Sequence, residues 1–207
     1  MARGGCGGDR CSCVIAPGPG MNVTGSGSTT APYVLSVDPS TIPPPEPPPP
    51  IQVQVCSLIV AEPQTIPNDG AYHVVRFPFT SESYDRYEMH EAVQPDGYQV
   101  VDWRGDDRSG LIWPSVDGWG ELHAVIQWES GDYTELRDQY CRDPLGLSTG
   151  VDTTATDHRP PSPGMQCFTK GHGMFVHPPT PVSLRVSHNA STPRQLVFAE
   201  FKLAIYK

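Results

Sequence analysis

Val197-Phe198-Ala199-Glu200-Phe201-Lys202-Leu203-Ala204-Ile205-Tyr206 decides the fold class. Val197, Ala199, Phe201, Leu203 and Ile205 recur at a period of two, opposite Glu200, Lys202 and Tyr206. Successive side chains of a strand point to opposite faces, so this is a strand with one face in a core. The pattern repeats upstream. Ile51, Val53 and Val55 alternate with Gln52 and Gln54. Leu122, Ala124, Ile126 and Trp128 alternate with Glu121, His123, Val125 and Gln127, and Val182, Leu184 and Val186 with Ser183, Arg185 and Ser187. Tyr72–Phe79 and Tyr98–Trp103 are rich in valine and aromatics, also a β signal. Asn68-Asp69-Gly70, Asp96-Gly97, Asp117-Gly118 and Gly131-Asp132 mark turns between them. Glu135–Arg142 reads as a short helix, and no long amphipathic helix is present. Many strands at short spacing with Gly and Pro turns predict an all-β chain whose main domain is a jelly-roll β-sandwich.

The run Pro43-Pro44-Pro45-Glu46-Pro47-Pro48-Pro49-Pro50 divides the chain. Proline supplies no backbone donor and fixes φ, so neither helix nor sheet continues through it. Polyproline II at about 3 Å per residue gives a stiff spacer of roughly 25 Å. Three segments follow: a base over residues 1–42, the linker over 43–50 and a head over 51–207. The base is too short and too rich in Gly, Ser and Thr to bury a core of its own. Met21–Gly25 and Tyr33–Val37 are β-prone strips around a Gly/Ser/Thr turn, which predicts a hairpin. Pro17-Gly18-Pro19-Gly20 is a tight bend ahead of it. No Gly-Lys-Ser/Thr follows, so these glycines are not a phosphate loop.

The net charge of −9 argues against a nucleic-acid partner, because phosphate binding relies on Lys and Arg. No stretch is long and apolar enough to insert in a membrane. Met1–Cys13 has no apolar core, so no secretory signal is expected, and a route out of the cell would be lysis or an assembled particle. Of the six cysteines, Cys6, Cys11 and Cys13 crowd the start, and Cys56, Cys141 and Cys167 lie in the head. The first three lack a nearby fourth ligand for a closed zinc site within one chain, and cross-chain disulfides are an alternative. Cys141 and Cys167 flank a polar, Pro-rich excursion and either clamp it with a disulfide or stay reduced.

Chemistry is sparse. His172 and His177 have no carboxylate close in sequence and read as solvent-facing loop residues. His123 falls on the polar face of its strand, and His188 at a strand end. Asp106-Asp107 beside Arg104 and Arg108 is a solvated turn. No nucleophile elbow and no ordered pair of glycosidase carboxylates stands out. No metal and no cofactor are expected, and the chain does not read as an enzyme. Trp103, Arg104, Trp113 and Trp119 lie in or beside turns. Tryptophans there either stack on sugars and anchor interfaces or pack in the core, and these four residues are the candidate binding set. Trp128 belongs to an apolar face and is assigned to the core.

Cys11-Ser12-Cys13, Gly18-Pro19-Gly20, Val23-Thr24-Gly25-Ser26-Gly27 and Pro32-Tyr33-Val34-Leu35-Ser36 stand in an order that resembles a short element of tail proteins from phages of actinobacteria. The head resembles the globular heads of complement-like and tumour necrosis factor proteins. The residues are Thr65-Ile66-Pro67-Asn68, Val116-Asp117-Gly118 before the Leu122–Trp128 strand, Val182–Ser187 with His188-Asn189-Ala190-Ser191, and the closing strand. Gly120 stands where that family usually has an aromatic, with Trp119 beside it, and the Arg142–Gln166 loop is longer than usual. These resemblances imply a homotrimeric minor tail protein or tail fibre. Cys11, Cys13, Val23, Tyr33 and Val34 of the base would attach to other virion structural proteins, and the head would bind a host-surface glycan or protein. Three parallel copies would bundle the rods and cover the base hairpins. A capsid decoration or spike has the same geometry, and a hydrolase of envelope glycans is the third reading. All three place the protein in the virion, the tail ahead of the capsid.

Overall fold

The computed structural model describes residues 18–37, 40, 46–80, 82–147, 152–162 and 164–207, without the side chains of 152–154. Cys11, Cys13 and Pro43–Pro45 lie outside these residues. The chain forms two units, Met1–Pro49 and Pro50–Lys207. Glu46–Pro50 is exposed and in neither helix nor strand.

The first unit contains the expected hairpin. β1 (Met21–Thr24) pairs antiparallel with β2 (Val34–Val37), from Met21↔Val37 to Thr24↔Val34. Pro19 and Gly20 make the turn before it: Met21 N donates to Gly18 O at 3.1 Å, and Gly20 has φ 77°. That is a type II arrangement, with proline first and glycine at positive φ second. Val34, Leu35 and Val37 are all more than half exposed, so the hairpin carries apolar side chains that no described residue covers.

The second unit is a two-sheet sandwich. Its strands are β3 (Val53–Val60), β4 (Gln64–Ile66), β5 (His73–Val74), β6 (Tyr84–Asp85), β7 (Leu111–Ile112), β8 (Gly118–Trp128), β9 (Leu136–Arg142), β10 (Asp152–Arg159), β11 (Gln166–Val176), β12 (Val182–His188) and β13 (Arg194–Tyr206). One turn of 3-10 helix, Asp107–Gly110, precedes β7. One sheet runs β11-β8-β13-β3-β6, with β4 also on β13. The other runs β10-β9-β12-β5, with β7 also on β12. Early strands pair with late ones: β3 with β13, β5 with β12, β8 with β11, β9 with β10, all antiparallel. A ribbon folded back on itself and rolled into two sheets has this pairing, and it is the jelly roll.

The alternations explain the packing. Leu122, Ile126 and Trp128 of β8 and Phe201, Leu203 and Ile205 of β13 point inward against Leu136, Tyr140, Leu184 and Val186 of the opposite sheet. The Tyr140 and Phe201 rings stack across the gap at 5.8 Å.

Four expectations need correcting. Glu135–Arg142 is not helical: Leu136–Arg142 is β9, held between β10 and β12. Its alternation was hidden because the inward residue between Leu136 and Tyr140 is the charged Asp138. Tyr98–Trp103 forms only one isolated bridge, Val93↔Gln99. A register shift between Leu196 and Phe198 takes Val197 off the core face and puts Leu196, 1% exposed, there instead. Val53 and Val55 point outward, since β13 register sets Cys56 and Gln54 inward opposite Leu203 and Ile205.

Phe201→Ala removes a ring in contact with both sheets. It should cost about 3–5 kcal/mol, whereas Val101→Ala, at a 92% exposed position, should change stability by less than about 0.5 kcal/mol. Urea denaturation followed by fluorescence measures both.

Candidate binding surfaces

The outer face of the β11-β8-β13-β3 sheet carries an apolar row at one end. Register sets Phe175 opposite Trp119, Trp119 opposite Tyr206, and Tyr206 opposite Val53. One apolar side chain from each of four neighbouring strands therefore lies in line. Their exposures are 49%, 51%, 38% and 39%, and Ile51, just upstream, is 76% exposed. Pro50, where this unit begins, is at the same end. Gly173 makes room for the indole: a Cβ there would lie 2.6 Å from Trp119 Cζ2. The ring thus lies over bare backbone of β11. A cleft of about 400 Å³ adjoins it, lined by Trp119, Glu121, His123, Gly171, His172 and Gly173. The Tyr206 hydroxyl donates to Glu121 Oε2 at 3.2 Å. Further along the face, Lys202 pairs with Glu200 at 2.7 Å. The row gives way to a stripe of mixed charge.

A second surface lies past the other end of β3, about 25 Å away for an eight-residue strand. Arg104 donates to both oxygens of Glu62, at 2.5 and 2.6 Å, and its guanidinium lies 4.7 Å over the Trp103 ring. This hydrogen-bonded pairing holds the Glu62 carboxyl below its usual range. The loop is fixed from behind, since Ser109 Oγ donates to Trp103 O at 2.7 Å and Arg76 Nη1 to Arg104 O at 2.6 Å. Val60, Glu62, Pro78, Thr80, Trp103 and Arg104 line a groove of about 410 Å³. It combines a flat aromatic, an aliphatic wall and a bidentate ion pair that a polar ligand can share.

The four candidate residues do not form one site. Trp103 and Arg104 are together, and Trp119 is at the opposite end of the sheet. Trp113 is 5% exposed, its backbone N–H bonded to Met89 O at 2.7 Å and its indole N–H without a partner. It is a packing residue beside a separate cleft of about 360 Å³ with Pro95 and Pro178. Phe175, Tyr206 and Val53 were missed. Their one visible signal was an apolar residue, Tyr206, on the polar face of the closing strand.

The disulfide alternative for Cys141 and Cys167 fails. Cys141 is on the outer face of β9, opposite Ser183, and Cys167 on the outer face of β11, opposite Gln127. Two packed sheets stand about 10 Å apart, and a disulfide needs Cα atoms within about 7 Å. The two sulfurs are not bonded to each other. Burial, helped by the nearby Asp85 and Glu82 charges, pushes the Cys56 thiol far above its ordinary range. Among the described residues no cluster of His, Cys, Asp and Glu has the geometry for a metal. His172 sits in β11 and not in a loop, and His177 is bonded to Asp117 at 3.2 Å.

No known sequence family and no curated protein matches the chain. Solved structures similar to it include the tumour necrosis factor Eiger of S. frugiperda, at 9% identity and TM-score 0.47, covering 76% of this chain and 93% of that one. The globular domain of zebrafish complement 1qA has 10% identity and TM-score 0.46, covering 72% and 94%. Murine APRIL has 10% identity and TM-score 0.47, covering 74% and 99%. The jelly-roll assignment rests on the strand order and register given above.

Iodoacetamide at mildly alkaline pH should alkylate Cys167 in the native protein and reach Cys56 and Cys141 only after denaturation. Peptide mass mapping reads each site. A Cys141–Cys167 bridge would leave both unlabelled until reduction.

Proposed function

We propose that the chain is a structural and binding protein of a phage virion, a homotrimeric minor tail protein or tail fibre, and not an enzyme. The observation that carries this reading is that each unit leaves apolar surface uncovered in a single chain. The hairpin exposes Val34, Leu35 and Val37, and the head exposes the Phe175–Trp119–Tyr206–Val53 row. Patches of this kind on soluble proteins mark interaction sites. At about 150–250 Å² per aromatic side chain, the row shows on the order of 300 Å². Covering it is worth about 7 kcal/mol gross per copy at about 25 cal/mol per Å², before the cost of association.

A cyclic assembly through the row gathers the copies' Pro50 ends on one side. That would bring the ends of three proline runs together, and the base, through Val23, Tyr33 and Val34, would dock into other virion proteins. The Trp103–Arg104–Glu62 groove, at the far end of β3, is the part of the head left for a host-surface glycan or protein. Weak sites suffice there, because linked copies gain about 100-fold or more in avidity. The resemblance of the base element favours the tail over a capsid seat, and labelled antibodies viewed on intact particles separate the two.

Native mass spectrometry at micromolar concentration should give a trimer. Trp119→Lys should give a folded monomer. Trp103→Ala should keep the trimer and lower adsorption to host cells at least tenfold. A monomeric wild-type chain would refute the assembly, and unchanged adsorption by the Trp103 variant would refute the groove.

A further inference from the structure

Lys170 is the least expected residue of the head. It sits on the inward face of β11, opposite Ala124, and its side chain is 2% exposed. Its ammonium reaches across to the other sheet. Nζ lies 2.9 Å from Oδ1 of Asp138, itself 3% exposed, and also contacts Oδ2 of Asp157. Asp157 and Asp138 are direct partners in the β10–β9 ladder. The other oxygen of Asp138 accepts from Arg159 Nε at 2.7 Å. The Tyr140 ring lies 5.4 Å from Nζ, and the Tyr140 hydroxyl donates to Lys170 O at 2.9 Å. Although Nζ is 2.9 Å from Asp138 Oδ1, that oxygen has no aligned hydrogen bond. The amine thus touches the carboxyl group without forming a hydrogen bond to Oδ1.

The geometry points to a covalent modification site: an isopeptide bond between Lys170 Nζ and Asp138 Cγ, with Asp157 as proton acceptor and Arg159 as the group that stabilises the tetrahedral intermediate. Asp157 takes one proton from the ammonium. The freed lone pair attacks Cγ, and the π electrons of the carboxylate move to Oδ2, where the Arg159 guanidinium opposes the charge. Collapse restores the carbonyl at Oδ2 and expels Oδ1. That oxygen leaves as water with two hydrogens from Nζ, one of them returned by Asp157. Nitrogen keeps its third hydrogen as the amide N–H. Ammonium and carboxylate thus become amide and water, with no oxidant, metal or cofactor.

The charges also balance. Before reaction two cations and two carboxylates share the site. Afterwards Arg159 and Asp157 remain as a pair, with 3.5 Å between Nη2 and Oδ2. Burying an ion is costly even when it is paired, so exchanging the two deepest charges for one neutral amide is favourable. Held contact supplies the high effective concentration that the uncatalysed condensation lacks. The bond would join the two sheets through β9 and β11; among the described residues no strand of one sheet pairs with a strand of the other.

Intact mass of the denatured full chain tests this. The expected mass is short by one water. Trypsin should no longer cut after Lys170, and fragmentation should find a branched peptide joining Lys170 to Asp138. Lys170→Arg should restore the full mass, and so should Asp157→Asn with an unchanged near-UV circular dichroism spectrum. A folded wild-type chain of full mass would overturn the proposal. So would a water deficit that maps to a succinimide at Asp96-Gly97 or Asp117-Gly118, with no branch. A branch that persists in Asp157→Asn would overturn the role given to Asp157.

Discussion

β13 hydrogen-bonds to β8 along one side and to β3 along the other, and Ala199, Phe201, Leu203 and Ile205 on its inner face have no solvent exposure. A period of exactly two fixes which residues face the core, and a slip of one would bury Glu200 and Lys202. The position of every other strand in that sheet follows. β8 must present Leu122 and Ile126 inward, β3 must present Cys56 and Leu58, and β11, paired to β8, must present Lys170. The same register fixes the outer face. It brings Val53, Tyr206, Trp119 and Phe175 into one line, so the uncovered row is a consequence of the core alignment.

That link between the two faces connects fold to function. A single sandwich satisfies its core and still displays an aromatic row beside the point where the proline linker leads in. The hairpin of the first unit displays valines and a leucine in the same way. Among the described residues, neither surface has a cover within its own unit. The proposed association of copies would cover both, and it would leave the Trp103 groove, past the other end of β3, clear of the assembly. The buried Lys170 cluster serves a different end. It ties the β9–β10 side of one sheet to the β11 edge of the other.

Sequence periodicity carried the strands wherever one face was cleanly apolar, as in β8, β12 and β13. It failed where tertiary pairing overrode local pattern. β9 has a carboxylate at an inward position because Lys170 and Arg159 meet it there, and a lysine 32 positions away leaves no local signal. The Gly-Pro-Gly bend was legible because its chemistry is local. The row was not: its four members come from β3, β8, β11 and β13, and only the register joins them. Trp103 and Arg104 were picked out together because they are adjacent in sequence, whereas Glu62, which completes their surface, comes from the end of another strand. Cys141 and Cys167 looked pairable as flanks of one loop, and the two-sheet layout separates them onto opposite outer faces.

The central claim is that the aromatic row is covered by sister copies. Hydroxyl-radical footprinting of the full chain at micromolar concentration tests it most directly, because Trp119 and Tyr98 are about equally exposed in one chain, at 51% and 45%. The account predicts that Trp119, Phe175 and Tyr206 are oxidised several-fold more slowly than Tyr98. Oxidation of Trp119 as fast as its exposure in the single chain allows would contradict it.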